Sequence, residues 1–198
     1  MAPRAKPPAW IDSLRQLRAL VSPVRQELID LLQTLGKASI AELAHRLGRP
    51  ADGLYYHVRA LVGAGLVVPV GQRSAGRREE VVYSTAAPER KLSLRYRPEH
   101  APSATALGQL VGSMLRTAER DFRAGLARAG VIVEGRRREL WAARGKGWLS
   151  PAELERVNAL LVELGTMLER GPSAARTQLF TLTYVLAPAE ARPARRGG

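Results

Sequence analysis

A chain of 198 residues has room for one large domain or two small ones, and its formal net charge of +13 favours a polyanionic partner, because each phosphate neutralised by Lys or Arg releases a condensed counterion. The absence of cysteine excludes disulfides, thiolate nucleophiles, thiol redox sensing and cysteine-based metal sites. The N terminus has no apolar core of signal-peptide length and no later run is long enough to span a bilayer, so the expectation is a cytoplasmic protein with no membrane contact.

Residues 1–8 are rich in proline and charge and read as a flexible arm. Trp10, Ile11, Leu14, Leu17 and Leu20 recur at helical spacing, which predicts a helix that packs on the domain or on a second subunit. Ser22-Pro23 supplies an N-cap and a proline at the first helical position, where its missing amide costs nothing. The helix that follows has Val24, Leu28, Leu31, Leu32 and Leu35 as its apolar stripe and Gly36 as its end. Ser39-Ile40-Ala41-Glu42 is a capping box opening a short second helix, whose buried face is Ile40, Leu43, Ala44 and Leu47.

Beyond the turn at Gly48-Arg49-Pro50, Leu54, Val58, Leu61 and Val62 define a third helix that ends at Gly65. At about 100° per residue its opposite face carries Asp52, Tyr56, Arg59 and Gly63, flanked by Gly53 and Tyr55. Residues 66–70 and 80–85 read as two strands of a hairpin, with Arg73, Arg77 and Arg78 at its tip and Glu79 and Glu80 at its base. Arginines at such a tip fork onto phosphates or enter a narrow minor groove.

The polar, proline-containing stretch 86–102 reads as a linker. After it, Leu107, Leu110, Val111, Met114, Leu115, Ala118, Phe122 and Leu126 lie on one stripe of a long helix, with Gly108 and Gly112 open to close approach by another helix. Residues 139–144, with Leu140 and Trp141, read as a strand. Ser150-Pro151-Ala152-Glu153 is another capping box, opening a helix faced by Leu154, Val157, Leu160, Leu161, Leu164 and Leu168. Phe180, Leu182, Tyr184 and Leu186 alternate with Leu179, Thr181, Thr183 and Val185, a strand by period and by propensity. Residues 187–198 read as a disordered tail.

The run Leu54-Tyr55-Tyr56-His57-Val58-Arg59-Ala60-Leu61, followed by Gly65-Leu66-Val67, resembles the recognition helix and first wing strand of ArsR-like winged helix-turn-helix bacterial regulators. With the three caps and the basic hairpin, the resemblance extends over residues 22–85. It implies that Ala51, Asp52, Gly53, Tyr55 and Tyr56 face DNA and that Arg73, Arg77 and Arg78 belong to the wing. Ser39, Arg49 and Arg59 complete the candidate DNA-binding set. Pro50 stands where such regulators usually carry serine, and Asp52-Gly53 replaces small hydroxylated residues that often read bases. The Asp52 carboxylate either accepts from a cytosine amine or, the more ordinary role, sits in the first turn where the helix dipole favours it. Tyr55 and Tyr56 stack on sugars or donate to phosphates, unless one packs against the second helix.

The expected fold class is therefore α+β, mainly helical. A winged helix-turn-helix over 9–85 precedes the linker and a smaller α/β dimerisation or effector region over 103–186. His45, His57 and His100 have no second histidine at metal spacing, so neither metal nor cofactor is expected, and His57 is read as a structural hydrogen-bonding residue. Trp141, Trp148, Phe180 and Tyr184 either line an apolar pocket for a small-molecule effector or form ordinary core. No phosphate loop, metal-spaced histidine pair or nucleophile turn points to an enzyme. The reading is a homodimeric, sequence-specific regulator of double-stranded DNA, a repressor or an activator. The alternatives are a winged helix used for RNA or protein contacts and the nucleic-acid-binding part of an enzyme.

Overall fold

The computed structural model describes residues 9–75, 78–90, 92–96 and 99–189. Among them the chain is α+β, with six helices and two small sheets. Strand β1 (Ala9–Ile11) leads into helices α1 (Leu14–Leu20) and α2 (Pro23–Leu35), then β2 (Lys37–Ser39), α3 (Ile40–Leu47) and α4 (Ala51–Gly63). A hairpin of β3 (Val67–Ala75) and β4 (Arg78–Thr85) follows, then β5 (Leu92–Leu94), the long α5 (Ala101–Leu126) and α6 (Pro151–Leu168).

The first helix begins later than the spacing from Trp10 predicts. Ser13 stops it from extending back: its Oγ accepts from the Gln16 amide at 3.2 Å while Gln16 Oε1 accepts from the Ser13 amide at 3.3 Å, a complete capping box. Trp10 and Ile11 lie instead in β1, which runs parallel to β5 with Trp10 opposite Ser93. The stretch 86–102 is therefore tied to the domain by a strand, and α5 already begins inside it. Arg95 lies over the Trp10 ring, 4.8 Å from its centre, at the end of this pair. Ser22 holds the N-cap position of α2 without a side-chain hydrogen bond, and Pro23 alone marks that start.

Two glycines set the geometry between α3, α4 and the hairpin. Gly48, at φ 60°, lets the chain leave α3 in a left-handed turn closed by Arg49 N–H donating to Ala44 O at 3.0 Å. Gly65, at φ 70°, ends α4 with Leu66 N–H reaching back to Leu61 O at 3.0 Å. The three-stranded sheet has the order β2-β4-β3, all antiparallel, with a register shift between Pro69 and Gly71.

The core gathers Leu17, Leu28, Leu32, Leu43, Leu54, Val58 and Leu61 from α1 to α4, with Leu66 from the turn before β3. Ala106, Leu107 and Leu110 of α5 join it, so the long helix shares the N-terminal core rather than opening a separate one. Two strand expectations are not met: 139–144 and 179–186 form neither helix nor strand. Their sequences have the pattern of strands, but among the described residues 139–144 makes only one backbone bond, Glu139 N–H to Ile132 O at 2.7 Å, and 179–186 makes none.

Candidate nucleic-acid interface

Helix α4 has no side-chain cap, because Pro50 stands at its N-cap, but its packing leaves no ambiguity about its orientation. Leu54, Val58 and Leu61 are buried against α2 and α3, and Ala51 packs beside them half-buried. Asp52, Gly53, Tyr55, Tyr56, Arg59 and Gly63 are exposed, with Tyr56 at 71%. The outward residues are those the helical period assigns to the face opposite the apolar stripe. Tyr56 also meets the His57 ring edge-on, at 5.4 Å between centres.

His57 lies half-buried between α4 and α2. Burial pushes its pKa below the ordinary value, and the guanidinium groups of Arg25 and Arg49 lower it further. The imidazole is thus neutral at neutral pH. Its Nδ1 makes no hydrogen bond, so the structural bond expected of this residue is not formed there.

Four of the candidate DNA-binding residues, Ala51, Ser39, Arg49 and Arg73, are placed differently from the sequence expectation. Ala51 packs half-buried against the core. Ser39 is 1% exposed, and its hydroxyl accepts from the Glu42 amide at 3.3 Å while its own amide donates to Glu42 Oε2 at 2.8 Å. It is a buried cap rather than a surface contact, because its position in β2 turns it inward against β4. Arg49 is half-buried and held by Glu27 of α2 at 3.1 Å. Arg73 is not at a hairpin tip. The strands continue past Gly71, so Arg73 sits within β3 opposite Glu80 and its guanidinium binds Glu42 Oε2 at 2.8 Å. The same extension carries Glu79 and Glu80 away from the base of the hairpin, pairing them with Ser74 and Arg73. The backbone of Arg78 opens β4, and Arg77 lies outside the described residues.

Sequence reasoning missed the Glu42–Arg73 pair. The hydrogen bond from Arg73, with a second from the Ser39 amide, holds the Glu42 carboxyl below the usual carboxylate range. One carboxylate thereby closes the cap of α3 and anchors β3 to it. A groove of about 390 Å³ between α4 and the sheet was missed as well; Tyr55, Arg59, Val62, Pro69, Val81 and Tyr83 line it. The alternation of Val81 and Tyr83 with buried Val82 and Ser84 is the signal that marks its sheet side.

Among the described residues no three histidine or carboxylate side chains gather as a metal site, and no helix is long and apolar enough to cross a membrane. Residues 20–70 match the family model of a helix-turn-helix domain, a span that runs from the end of α1 through α4 into β3. No curated protein matches the chain. The helix-turn-helix match supports DNA binding and a place among regulators built on that motif, and the matched span includes α2, α3 and α4.

Proposed function

We propose that the chain is a sequence-specific, double-stranded-DNA-binding transcriptional regulator of the ArsR-like winged helix-turn-helix type. In this reading α4 enters the major groove and the β3–β4 hairpin is the wing, lying along the backbone or in the minor groove. The observation that carries it is the outer face of α4, where Asp52, Gly53, Tyr55, Tyr56 and Arg59 stand exposed on a helix fixed by its buried side. The match of residues 20–70 to a helix-turn-helix domain and the +13 charge support it. The protein works as a cytoplasmic homodimer without catalytic site or cofactor, its two α4 helices entering grooves about 34 Å apart. Any regulatory signal enters through the second half of the chain, since it has neither cysteine nor a paired histidine site to sense metal or redox state.

Selection from a random duplex library, followed by fluorescence anisotropy on the selected and a scrambled duplex over a range of salt, tests the reading. The expected result is a preference of about a thousandfold or more for the selected site, retained as affinity falls with salt. Equal binding to every duplex, or stronger binding to a structured RNA, overturns it.

A further inference from the structure

The second half of the chain leaves open to water what the first half buries. Helix α6 has one buried residue, Gly165, while Leu154, Leu160, Leu164 and Met167 are exposed and Val162 is 70% exposed. Before it stand Trp141 and Trp148, the latter 93% exposed; after it come Leu179, Phe180, Leu182, Tyr184 and Val185, all exposed. Both alternating sets of 179–186 carry apolar residues, the pattern of a strand inside a sheet, yet no backbone amide of this run donates to a described backbone carbonyl. Leaving large apolar side chains and an unpaired strand-like backbone in water is unfavourable on both counts.

This region is nevertheless built. Ser150 and Glu153 close a complete capping box on α6. The Glu139 carboxylate accepts from Arg128, from the Ile132 amide at 3.1 Å and from Gln178, so it joins the segments on either side of α6. Behind α6, Gly171 lies so close to α2 that a Cβ there would come 3.0 Å from Thr34 O.

Helix α5 has an open stripe of its own. Ser103, Ala106, Leu107, Leu110 and Ser113 face the core. At about 100° per residue, Gly108, Gly112, Leu115, Phe122 and Leu126 centre about 160° from that core-facing set, so the single stripe expected from the sequence divides, with Leu115, Phe122 and Leu126 turned away from the core. No helix among the described residues uses the room that the two glycines leave. A Cβ on Gly108 meets nothing within 4 Å, and one on Gly112 meets only the Arg116 guanidinium at 3.4 Å.

We infer that these surfaces belong to one interface between two copies of this chain, in which the arm 131–189 of each copy covers the open α5 stripe and the arm of the other, and 179–186 gains its strand partners from the second copy. This deepens the dimer part of the proposed function and does not depend on DNA binding. Area supports a second copy as occupant. The exposed large apolar side chains of 132–186, at roughly 100 Å² each, amount to more than about 1,000 Å² per copy, above the roughly 800 Å² per partner of a standard interface. Charge supports it too. Helix α6 carries Glu153, Glu155 and Glu163 against Arg156 alone, whereas 136–146 carries Arg136, Arg137, Arg138, Arg144 and Lys146 against Glu139. Crossed arms therefore bring opposite signs together.

Sedimentation velocity and hydrogen exchange on the full chain test this, with Val162→Asp and Leu182→Arg as variants. Both side chains are exposed in a single copy, so the N-terminal core keeps its helical circular dichroism. The wild type is expected to be a dimer at about micromolar concentration, with amides of 179–186 protected, and each variant to weaken association about a hundredfold or more and release that protection. A monomeric wild type with rapid exchange across 179–186, a dimer that both variants leave intact, or a monomer that co-sediments with phosphatidylserine vesicles overturns the inference. Binding to a duplex holding one half-site, measured alongside, separates the two claims: its absence from an intact wild-type dimer counts against DNA reading and leaves the arm interface standing.

Discussion

Tyr56 is the side chain whose position says most about recognition, because it projects from α4 at 71% exposure while its neighbour His57 turns inward. In a major groove it reaches base edges and sugars, so Tyr56→Ala is expected to cost about 1–3 kcal/mol on the preferred duplex and much less on a scrambled one. Anisotropy titrations on both duplexes check this, and an equal loss on both would move Tyr56 to a backbone contact. The outward set of α4 was legible in the sequence because helical period alone separates Leu54, Val58 and Leu61 from Asp52, Tyr56 and Arg59. Ser39 was legible only as a cap. Its burial depends on β2 pairing with β4, whose residues lie more than forty positions away, with Ser39 opposite Val82. Ser39→Ala removes the hydroxyl that caps the Glu42 amide, and a loss of about 1–2 kcal/mol is expected in urea unfolding.

At the scale of elements, the hairpin is held by a side chain from outside it. Glu42 binds Arg73 within β3 while capping α3, and the pair was illegible because the sequence reads Gly71 as the start of a loop, whereas the strand continues to Ala75. A register shift after Pro69 absorbs the irregularity and allows the continuation. The Glu42 carboxyl lies below its ordinary pKa of 4.5, so whatever the pair contributes is fully present above that pH and is lost as the pH falls below it. Glu42→Gln keeps an acceptor for the Ser39 amide but removes the charge. Thermal melts from about pH 3 to about pH 6 should then show a smaller fall in Tm on acidification than in the wild type. The effect is modest, because the ion pair is open to solvent. Other elements were hidden for a different reason. A strand of three residues such as β1 has no readable period, and Trp10 and Ile11 fall as easily on a helical stripe; what settles them is a partner, β5, more than eighty residues away.

On the scale of the whole molecule, the same limit explains why 139–144 and 179–186 have the pattern of strands and yet form none. Alternation shows that a run is fit for a sheet but not which chain supplies its neighbour. In the proposed dimer the exchanged arms tether the two α4 helices, so that the second half-site is bound from a high effective concentration. Weakening the arm should therefore leave one half-site untouched and penalise two. Val162→Asp lies far in sequence from α4 and exposes no core residue, so its affinity for a duplex with one half-site is expected to equal that of the wild type. On a duplex with two half-sites spaced by one helical turn, its affinity is expected to fall about a hundredfold or more at protein concentrations where the variant is monomeric. The fall should shrink as protein concentration rises towards the variant's own dimerisation constant, which distinguishes a lost tether from a distorted reading head. Equal losses on one and two half-sites would place the effect in α4 and not in the arms.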